Sequence, residues 1–421
     1  MLNPKAAPPL RLMTGASQVV TCEPSADCAV GVIDGGVIAL EGERILCVGK
    51  RDEVLSRLRG RDYTEIDAAG GTIIPGYVDC HTHLIFAGDR HQEYFARNSG
   101  MDDAQMRRAG VPYDVPASIA ANRGLSVDAL VEVSLPRLRR MLANGTTTLE
   151  TKSGYGLDPE SDVRSLQAAK RLAELLPVEI ATTYLGAHVV PPDTTRARYL
   201  GDVLNIGIPR MASEGLAEFC DVYCDPNVFN VDETRQVLER AADHGLKLKL
   251  HLDAKTRTGG AQLAADMGAV SVDHVNYTSL QDMRALAAAG TVAVTFPGFD
   301  FVVRHARPFD MREARKAQLT VALGTDLCPV CWMESMQTTG SFACRMNRMT
   351  AAEALLGSTL HAAAALGRAD RIGSIAAGKQ ADLLILNVPS FEQATFRFGV
   401  NSVAKVFKKG SLAVDNSIVT S

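Results

Sequence analysis

The sequence predicts an α/β protein, a (β/α)8 TIM-type barrel with a small composite β-sandwich domain built from both chain ends. Two observations lead to this prediction. From Pro75 to Gly367, strand-sized apolar runs alternate with amphipathic stretches of helical length, which favours repeated β/α units. Short alternating strands precede this series, and turn-rich, strand-like segments follow it. We therefore assign residues 1–74 and 368–421 to the small domain and residues 75–367 to the barrel.

The small domain begins with short alternating strands. Residues 36–40 and 44–49 are the clearest examples, and a Glu-Gly turn lies between them. Towards the other chain end, residues 373–386 are rich in turns and then become strand-like, and residues 403–411 have the pattern of a further strand. These segments together complete one β domain beside the barrel.

The barrel series begins with the apolar run at residues 72–74, followed by Pro-Gly and a short strand-like segment that ends in His-X-His. Apolar runs mark the later strands, and apolar residues at helical spacing, such as Leu130, Leu138 and Met141, mark the helices. A doubly wound sheet is the structural alternative, but no glycine-rich phosphate loop follows the first strand. The predicted strands are 146–150, 178–185, 246–251, 269–275, 291–296 and 320–326, and the predicted helices are 125–144, 158–176, 231–244, 260–267, 279–289, 311–318 and 349–366.

Composition narrows the class of protein. The 421 residues suffice for one large domain and a smaller one, and 46% hydrophobic and 22% charged residues are ordinary globular values. A formal charge of −4 argues against nucleic acid or an anionic membrane as the main partner. The nine scattered cysteines fit reduced thiols better than a disulfide framework, and the N-terminus lacks the apolar core of a secretory signal. We therefore expect a cytoplasmic protein with a small-molecule substrate.

Histidine and aspartate residues stand at the ends of the predicted strands, where active sites of such barrels form. His81 and His83 are separated by one residue, so on a strand both side chains point to the same side and can bind one ion. A single histidine is more often an ordinary core or surface residue, but several at successive strand ends form a pattern. We assign His81, His83, His251 and Asp326 as ligands of one divalent metal ion, because three imidazoles and a carboxylate suffice for a mononuclear zinc or iron site.

Asp326 and His274 are the predicted catalytic residues. A bound metal lowers the pKa of water and supplies hydroxide near neutral pH. Asp326 can contact the metal and also take the proton of that water. His274, in the segment Val-Asp-His, follows the next predicted strand and can orient the hydroxide or stabilise the developing anion. Lys152 and His188 also stand at predicted strand ends.

The order of these motifs resembles the amidohydrolase superfamily: His-X-His, a strand-end histidine, Val-Asp-His, Gly-Thr-Asp, then GSIAAGKQADL at 373–383. Within that superfamily, FAGDR at 86–90, KSGYGL at 152–157 and LGAHVVPP at 185–192 resemble the imidazolonepropionase family of histidine degradation. The resemblance covers essentially the whole chain. It implies the barrel with its composite β domain, a zinc or iron ion, a homodimer, and hydrolysis of a five-membered ring that bears a propionate.

The resemblance also implies roles for residues in these motifs. Arg90 would hold the propionate carboxylate, which an arginine can bind bidentately, and Tyr155 and His188 would hydrogen-bond the substrate. Arg90 as a surface ion-pair partner and Tyr155 as a packing aromatic are the alternatives. Lys152 would be a carbamylated bridge in a two-metal member of the superfamily, but in this motif we interpret it as a structural lysine behind the ligands.

Several positions depart from the family pattern. Ala254 stands three positions after the strand-end histidine, where the family has a glutamate or similar polar residue, and Cys328 stands two positions after Asp326, in place of an asparagine. In a more N-terminal loop, Asp103 aligns with the family's tyrosine, and residues 110–112 align with its triple glycine. The scaffold and the predicted ligands are retained while ring contacts change, which favours an altered substrate specificity.

These departures lead to one leading hypothesis and several alternatives for the reaction. Opening a plain imidazolone requires protonation of a ring nitrogen, which Ala254 cannot provide, whereas a thiocarbonyl carbon carries its own leaving group. We predict hydrolytic desulfurisation of 3-(5-oxo-2-thioxoimidazolidin-4-yl)propionate by metal-bound hydroxide, with release of hydrogen sulfide and with Cys328, and Cys331 as a second candidate, lining a pocket for sulfur. The alternatives are an imidazolonepropionase that forms N-formimino-glutamate, a hydantoin-type ring-opening amidohydrolase and a non-catalytic ligand-binding relative. Either cysteine alone also fits an ordinary core position.

Overall fold

The computed structural model describes residues 9–25 and 28–420, so the first eight residues of the predicted small domain lie outside the described part. The two strands predicted at 36–40 and 44–49 are confirmed, and Gly42 has a φ of +60° in the turn between them, a conformation that favours glycine. The segment before the barrel contains β1 (Leu10–Thr14), β2 (Gln18–Val20), β3 (Val32–Asp34), β4 (Val37–Glu41), β5 (Arg44–Gly49), α1 (Arg51–Arg57), β6 (Thr64–Asp67) and β7 (Thr72–Pro75).

The central part of the chain forms eight strands that pair in chain order, each parallel to the next, with helices in the connections. This arrangement confirms the predicted (β/α)8 barrel. Its elements are β8 (Tyr77–Asp79), α2 (His91–Asn98), α3 (Asp103–Ala109), α4 (Asp114–Asn122), α5 (Val127–Ala143), β9 (Thr146–Lys152), α6 (Pro159–Leu175), β10 (Glu179–Ala187), α7 (Arg196–Asp202), a π-helical turn (Val203–Gly207), α8 (Ile208–Ser213), β11 (Phe219–Cys224), α9 (Val231–Asp243), β12 (Lys247–Leu252), α10 (Gly260–Asp266), β13 (Ser271–His274), α11 (Leu280–Ala289), β14 (Val292–Thr295), α12 (Pro297–Val302), α13 (Met311–Ala317), β15 (Val321–Leu323), α14 (Met336–Met346), α15 (Ala351–Gly357) and α16 (Leu360–Ala364).

Backbone hydrogen bonds beyond the ends of β8 and β15 join the first and last barrel strands. The N–H of Asp326 donates to the carbonyl of His81 over 3.1 Å, and the N–H of His83 donates to the carbonyl of Leu327 over 2.8 Å. The prediction that His81 and His83 lie on a strand is wrong. Strand β8 ends at Asp79, and both histidines follow it in an irregular segment. These bonds place both histidines directly beside Asp326.

The C-terminal part returns to the N-terminal strands. Strand β16 pairs antiparallel with β7 and continues the sheet in the order β19-β18-β17-β16-β7-β2-β3, while β5-β4-β1-β6 form a second sheet. Met13 and Ile38 from the smaller sheet and Ile73, Leu383 and Phe407 from the larger one share a buried apolar cluster, so the two sheets pack as a sandwich. The domain boundaries at 74/75 and 367/368 stay a prediction. The elements of this part are β16 (Leu383–Leu386), α17 (Phe391–Phe396), β17 (Val403–Lys408), β18 (Ser411–Asp415) and β19 (Ile418–Val419).

Three features of the fold differ from the sequence-based prediction. Strand β11 was not predicted, because Asp221 interrupts its apolar run, although this carboxylate is fully buried. The single helix predicted at 349–366 is two helices, since Thr359 leaves helical geometry with φ −134° and ψ −91°. The further helices that were also not predicted are α1, α2, α3, α4, α7, α8, α12, α14 and α17. Among the helices of residues 9–25 and 28–420, none has the length and apolar character needed to span a membrane.

Candidate active site

A cavity of about 590 Å³ lies where the barrel strands end, a size typical of small-molecule sites. Residues at or just beyond the C-terminal ends of all eight barrel strands reach it. His81 is fully buried and does not line the cavity, but every other residue predicted for the site does. These lining residues are His83, Arg90, Tyr155, His188, His251, His274, Asp326 and Cys328.

The four predicted metal ligands lie together. One ring nitrogen from each of His81, His83 and His251 lies within 4.8 Å of the others. Asp326 Oδ1 is 3.5 Å from His81 Nε2 and 3.6 Å from His83 Nε2. His81 Nε2 is buried and has no hydrogen-bond partner among the described residues. An orphaned imidazole nitrogen facing two further imidazoles and a carboxylate fits the ligand set of a zinc or iron ion.

Burial keeps His81 and His83, the two N-terminal candidate ligands, neutral. It lowers the pKa of His81 and of His83 well below the ordinary value for histidine, and the positive charge of Lys152 adds to this effect. A neutral imidazole is the form that binds a metal, so the site offers its ring nitrogens at neutral pH.

Two buried carboxylates lie beside His81 and His251, next to the ring nitrogens Nδ1. Asp273 Oδ2 lies 2.7 Å from His81 Nδ1, and Asp221 Oδ2 lies 3.0 Å from His251 Nδ1. The hydrogen bond to Asp273 fixes the ring and tautomer of His81, as is usual for metal-ligating histidines, whereas Asp221 is close to His251 without forming a well-aligned hydrogen bond. Neither carboxylate was assigned a role from the sequence.

Lys152 links those carboxylates beneath the cavity. Its Nζ is 2.8 Å from Asp221 Oδ2, 2.7 Å from Glu150 Oε1 and 3.5 Å from Asp273 Oδ2. Burial alone would lower the pKa of Lys152, but the three carboxylates outweigh it and raise the pKa above its ordinary value. Carbamylation requires the neutral amine, so this environment favours the structural interpretation over a carbamylated bridge.

His274 and Asp326, the predicted catalytic residues, have strained backbone geometry and line the cavity. His274 has a φ of +81°, Val275 has +59° and Asp326 has +49°. Left-handed geometry is uncommon for residues other than glycine, costs about 1–3 kcal/mol each and concentrates at functional sites. His274 is thereby placed with its ring centroid 5.3 Å from that of His251, and burial lowers its pKa to about 3.

Tyr155 and His188 form the wall beside His83. Their ring centroids lie 5.2 Å and 5.5 Å from that of His83. His188 Nδ1 is 2.9 Å from the carbonyl of Gly154, so Nδ1–H donates and Nε2 is left as an acceptor towards the cavity. Gly154 must be glycine, because its φ is +104° and a Cβ there would lie 2.6 Å from the carbonyl of Leu185.

Cys328 and Cys331 have different surroundings. They pair through two backbone hydrogen bonds of 2.9 Å and 3.1 Å, and both thiols are free. Cys328 lines the cavity, whereas Cys331 is fully buried in the apolar core and does not line it. The prediction that Cys331 is a second lining residue is therefore wrong.

Ala254 also lines the cavity, and a histidine bonds to its backbone. His305 Nε2 lies 2.7 Å from the carbonyl of Ala254, and His305 Nδ1 accepts the N–H of Arg307 over 3.1 Å. Both nitrogens of this ring are therefore engaged. Sequence reasoning missed His305 because it follows a helix rather than a strand end. The other lining residues missed include Glu93, Tyr223 and Asn276.

Comparison with known proteins agrees with this geometry. The model of the amidohydrolase family matches residues 72–413. An imidazolonepropionase of Halobacterium salinarum is 41% identical over 400 residues, with 94% of this chain and 93% of that protein covered. An imidazolonepropionase of Symbiobacterium thermophilum is 39% identical over 420 residues, with 97% and 98% covered.

Solved structures show the same fold at low identity. An adenosine deaminase from Xanthomonas campestris, solved with bound zinc, has a TM-score of 0.74 and 18% identity, over 98% of this chain and 95% of that chain. A mutant atrazine chlorohydrolase from Arthrobacter aurescens, complexed with zinc and atraton, has a TM-score of 0.71 and 17% identity, over 97% and 96%. With the family match and the relatives near 40% identity, the chain belongs to the amidohydrolase family of metal-dependent hydrolases, as a homologue of the imidazolonepropionases.

Proposed function

We propose that the protein hydrolyses a five-membered imidazolone-type ring that carries a propionate. One observation supports this most: a single cavity is lined by Arg90 and by His83, His251 and Asp326, three members of the cluster that the buried His81 completes behind them. The cluster suits a water-activating metal ion, and Arg90 suits a carboxylate. We propose zinc as the ion, with iron as the alternative. The homodimer and the cytoplasmic location stay predictions.

Each of the cavity residues has a separate role in the proposed hydrolysis. A bound divalent ion lowers the pKa of water. Asp326 accepts the proton of the attacking water, and His274 faces the same place and hydrogen-bonds the anion that develops on the attacked group. His188 Nε2 accepts a ring N–H, Tyr155 hydrogen-bonds the ring, and Arg90 binds the propionate.

The first candidate substrate is 4-imidazolone-5-propionate, because the relatives near 40% identity carry the name imidazolonepropionase. Water adds to the ring carbonyl carbon, and the bond from that carbon to the ring nitrogen breaks. The freed nitrogen takes up a proton, and N-formimino-glutamate results. This reaction therefore requires a proton donor near the ring nitrogen.

The second candidate is the 2-thioxo ring of 3-(5-oxo-2-thioxoimidazolidin-4-yl)propionate, and the surroundings of Ala254 favour it. The methyl group of Ala254 cannot carry a proton, and both ring nitrogens of His305 are already engaged. In this reaction, water adds to the thiocarbonyl carbon, the carbon–sulfur bond breaks, and sulfur leaves as hydrosulfide without loss of a ring nitrogen. The oxygen of water stays on that carbon as a carbonyl and one proton is released, so the product is the 2,5-dioxo ring, called the dioxo ring below. Cys328 supplies a polarisable neighbour for the sulfur atom.

A product-resolved assay tests the proposal. Metal-loaded protein is given each ring propionate separately, and N-formimino-glutamate and hydrosulfide are measured. We expect one substrate to be turned over with a kcat/KM at least about a hundredfold above that of the other, within the ordinary enzymatic range. N-formimino-glutamate would establish the first candidate, and hydrosulfide with the dioxo ring the second. Opening of the dioxo ring itself would point to a hydantoin-type hydrolase, and no turnover of any ring would overturn the proposal.

A further inference from the structure

A buried glutamate lies in the cavity wall beside Arg90. Glu93 is only 2% exposed, on the first turn of α2. Its Oε2 accepts from Arg90 Nε over 2.6 Å and from the backbone N–H of Asp114 over 2.9 Å, and its Oε1 accepts from Arg97 Nε over 2.8 Å. One carboxylate thus joins both ends of α2 to the start of α4 in the cavity wall.

The bond from Glu93 determines which edge of Arg90 remains available. Since Nε is engaged, the two Nη atoms are the groups left for a ligand. Within residues 9–25 and 28–420 neither of them donates a hydrogen bond, and Nη2 lies 4.0 Å from Asp114 Oδ1, beyond hydrogen-bond distance. The end-on pair of Nη atoms is a geometry that binds a carboxylate bidentately. The backbone N–H of Arg90 also donates to the carbonyl of Pro329 over 2.9 Å, which fixes the base of the side chain.

Arg97 shares the negative charge of Glu93 with Arg90. Its Nε bonds to Glu93, and its Nη1 lies 2.9 Å from Asp103 Oδ1, so the two guanidinium groups and the carboxylates of Glu93 and Asp103 form one ion-pair cluster. Burial raises the pKa of Glu93, but the bonds from Arg90 and Arg97 outweigh it, so the pKa lies below its ordinary value. Glu93 is therefore ionised at neutral pH.

Glu93 also holds a strained turn. Asp114 begins α4 with a φ of +57°, which is costly for a residue other than glycine, and its N–H is bound by Glu93. The Asp114 side chain lines the same cavity. The glutamate therefore fixes both the guanidinium and the neighbouring wall.

We propose that Glu93 is a positioning residue that presents the Nη edge of Arg90 to the substrate and thereby makes the site select a carboxylate over a neutral carboxamide. The inference rests on the proposed function, in which Arg90 binds the propionate. It adds a residue that does not touch the substrate yet determines the discrimination.

Binding of a non-hydrolysable pair of probes tests this. Calorimetric titration of zinc-loaded protein measures the affinities for imidazole-4-propionate and for its carboxamide. We expect the wild type to prefer the acid by at least about tenfold, as a charge-assisted bidentate contact requires, and Glu93→Ala to bring the ratio close to one. Glu93→Gln keeps the size of the side chain but replaces one of the two accepting oxygens by an NH2 donor, so it should lose part of the preference, in the same direction, and it serves as the test if the alanine variant does not fold.

Two further variants distinguish a failure of the role of Glu93 from a failure of the propionate assignment to Arg90. Glu353→Gln is the matched control, because Glu353 also pairs with an arginine and caps a helix but lies outside the cavity wall, so its ratio should equal that of the wild type. Arg90→Ala should abolish the preference. If Arg90→Ala kept it, the propionate assignment would fail. If Arg90→Ala lost it while both Glu93 variants kept it, only the role of Glu93 would be overturned.

Discussion

Replacing Asp326 with asparagine should lower kcat about a thousandfold, or about 4 kcal/mol in the activation free energy. Asparagine has nearly the same shape but cannot accept the proton of the attacking water, and it is a weaker metal ligand than a carboxylate. The backbone bond from Asp326 to His81 remains in the variant, so the join between the first and last barrel strands is retained. Initial rates on the preferred ring propionate, with metal content measured on the same sample, check this.

Asp310→Asn is the matched control for that experiment. Asp310 accepts the N–H of Arg312 at the start of α13, and it does not line the cavity. Its variant should therefore keep turnover close to that of the wild type. Turnover of Asp326→Asn within a few-fold of the wild type would show that another group takes the proton and would contradict the assigned role.

Removing the metal should abolish turnover and also reduce thermal stability. The folded chain gathers three imidazoles and a carboxylate that the unfolded chain separates, so an ion at about a thousandfold excess over its Kd stabilises the folded state by about 4 kcal/mol. Chelation should lower the Tm by several degrees, and added zinc or ferrous iron should restore both Tm and turnover. Scanning calorimetry and rate measurements on the same samples check this, and the better ion identifies the metal.

Two histidine variants separate the metal effect from general destabilisation. His83→Asn removes a ligand, so its Tm should respond much less to chelation. His361→Asn alters a half-buried histidine outside the cavity, whose Nδ1 is 3.0 Å from the carbonyl of Val321, and its Tm should respond as in the wild type. An equal response of His83→Asn and the wild type would show that the ion binds elsewhere.

The predicted ligand set came from the sequence because each member follows an apolar run that could be recognised as a strand. His251 ends such a run directly, and Asp326 follows the last one. Parallel strands in a barrel bring these ends to one face, so chain order alone places the side chains together. The exact path of His81 and His83 was missed, since the hydrogen bonds that join β8 and β15 connect residues far apart in the sequence.

Other parts of the site had no comparable signal. Asp221 was missed with its strand because a charged residue within an apolar run argues against a buried strand, and only Lys152 and His251 together make its burial favourable. Glu93 lies on a short helix, and its partners Arg97 and Asp114 are brought to it by the fold of the connection after β8. Such buried ion pairs depend on tertiary structure and leave no periodic pattern in the sequence.

Anomalous diffraction from a crystal of the metal-loaded protein with imidazole-4-propionate would test the central claim most directly. The account predicts one metal peak among His81, His83, His251 and Asp326, with the carboxylate of the probe on the Nη atoms of Arg90. Diffraction data at the zinc and iron absorption edges would identify the ion. A metal peak elsewhere, or a probe whose carboxylate points away from Arg90, would contradict the assignment of this site.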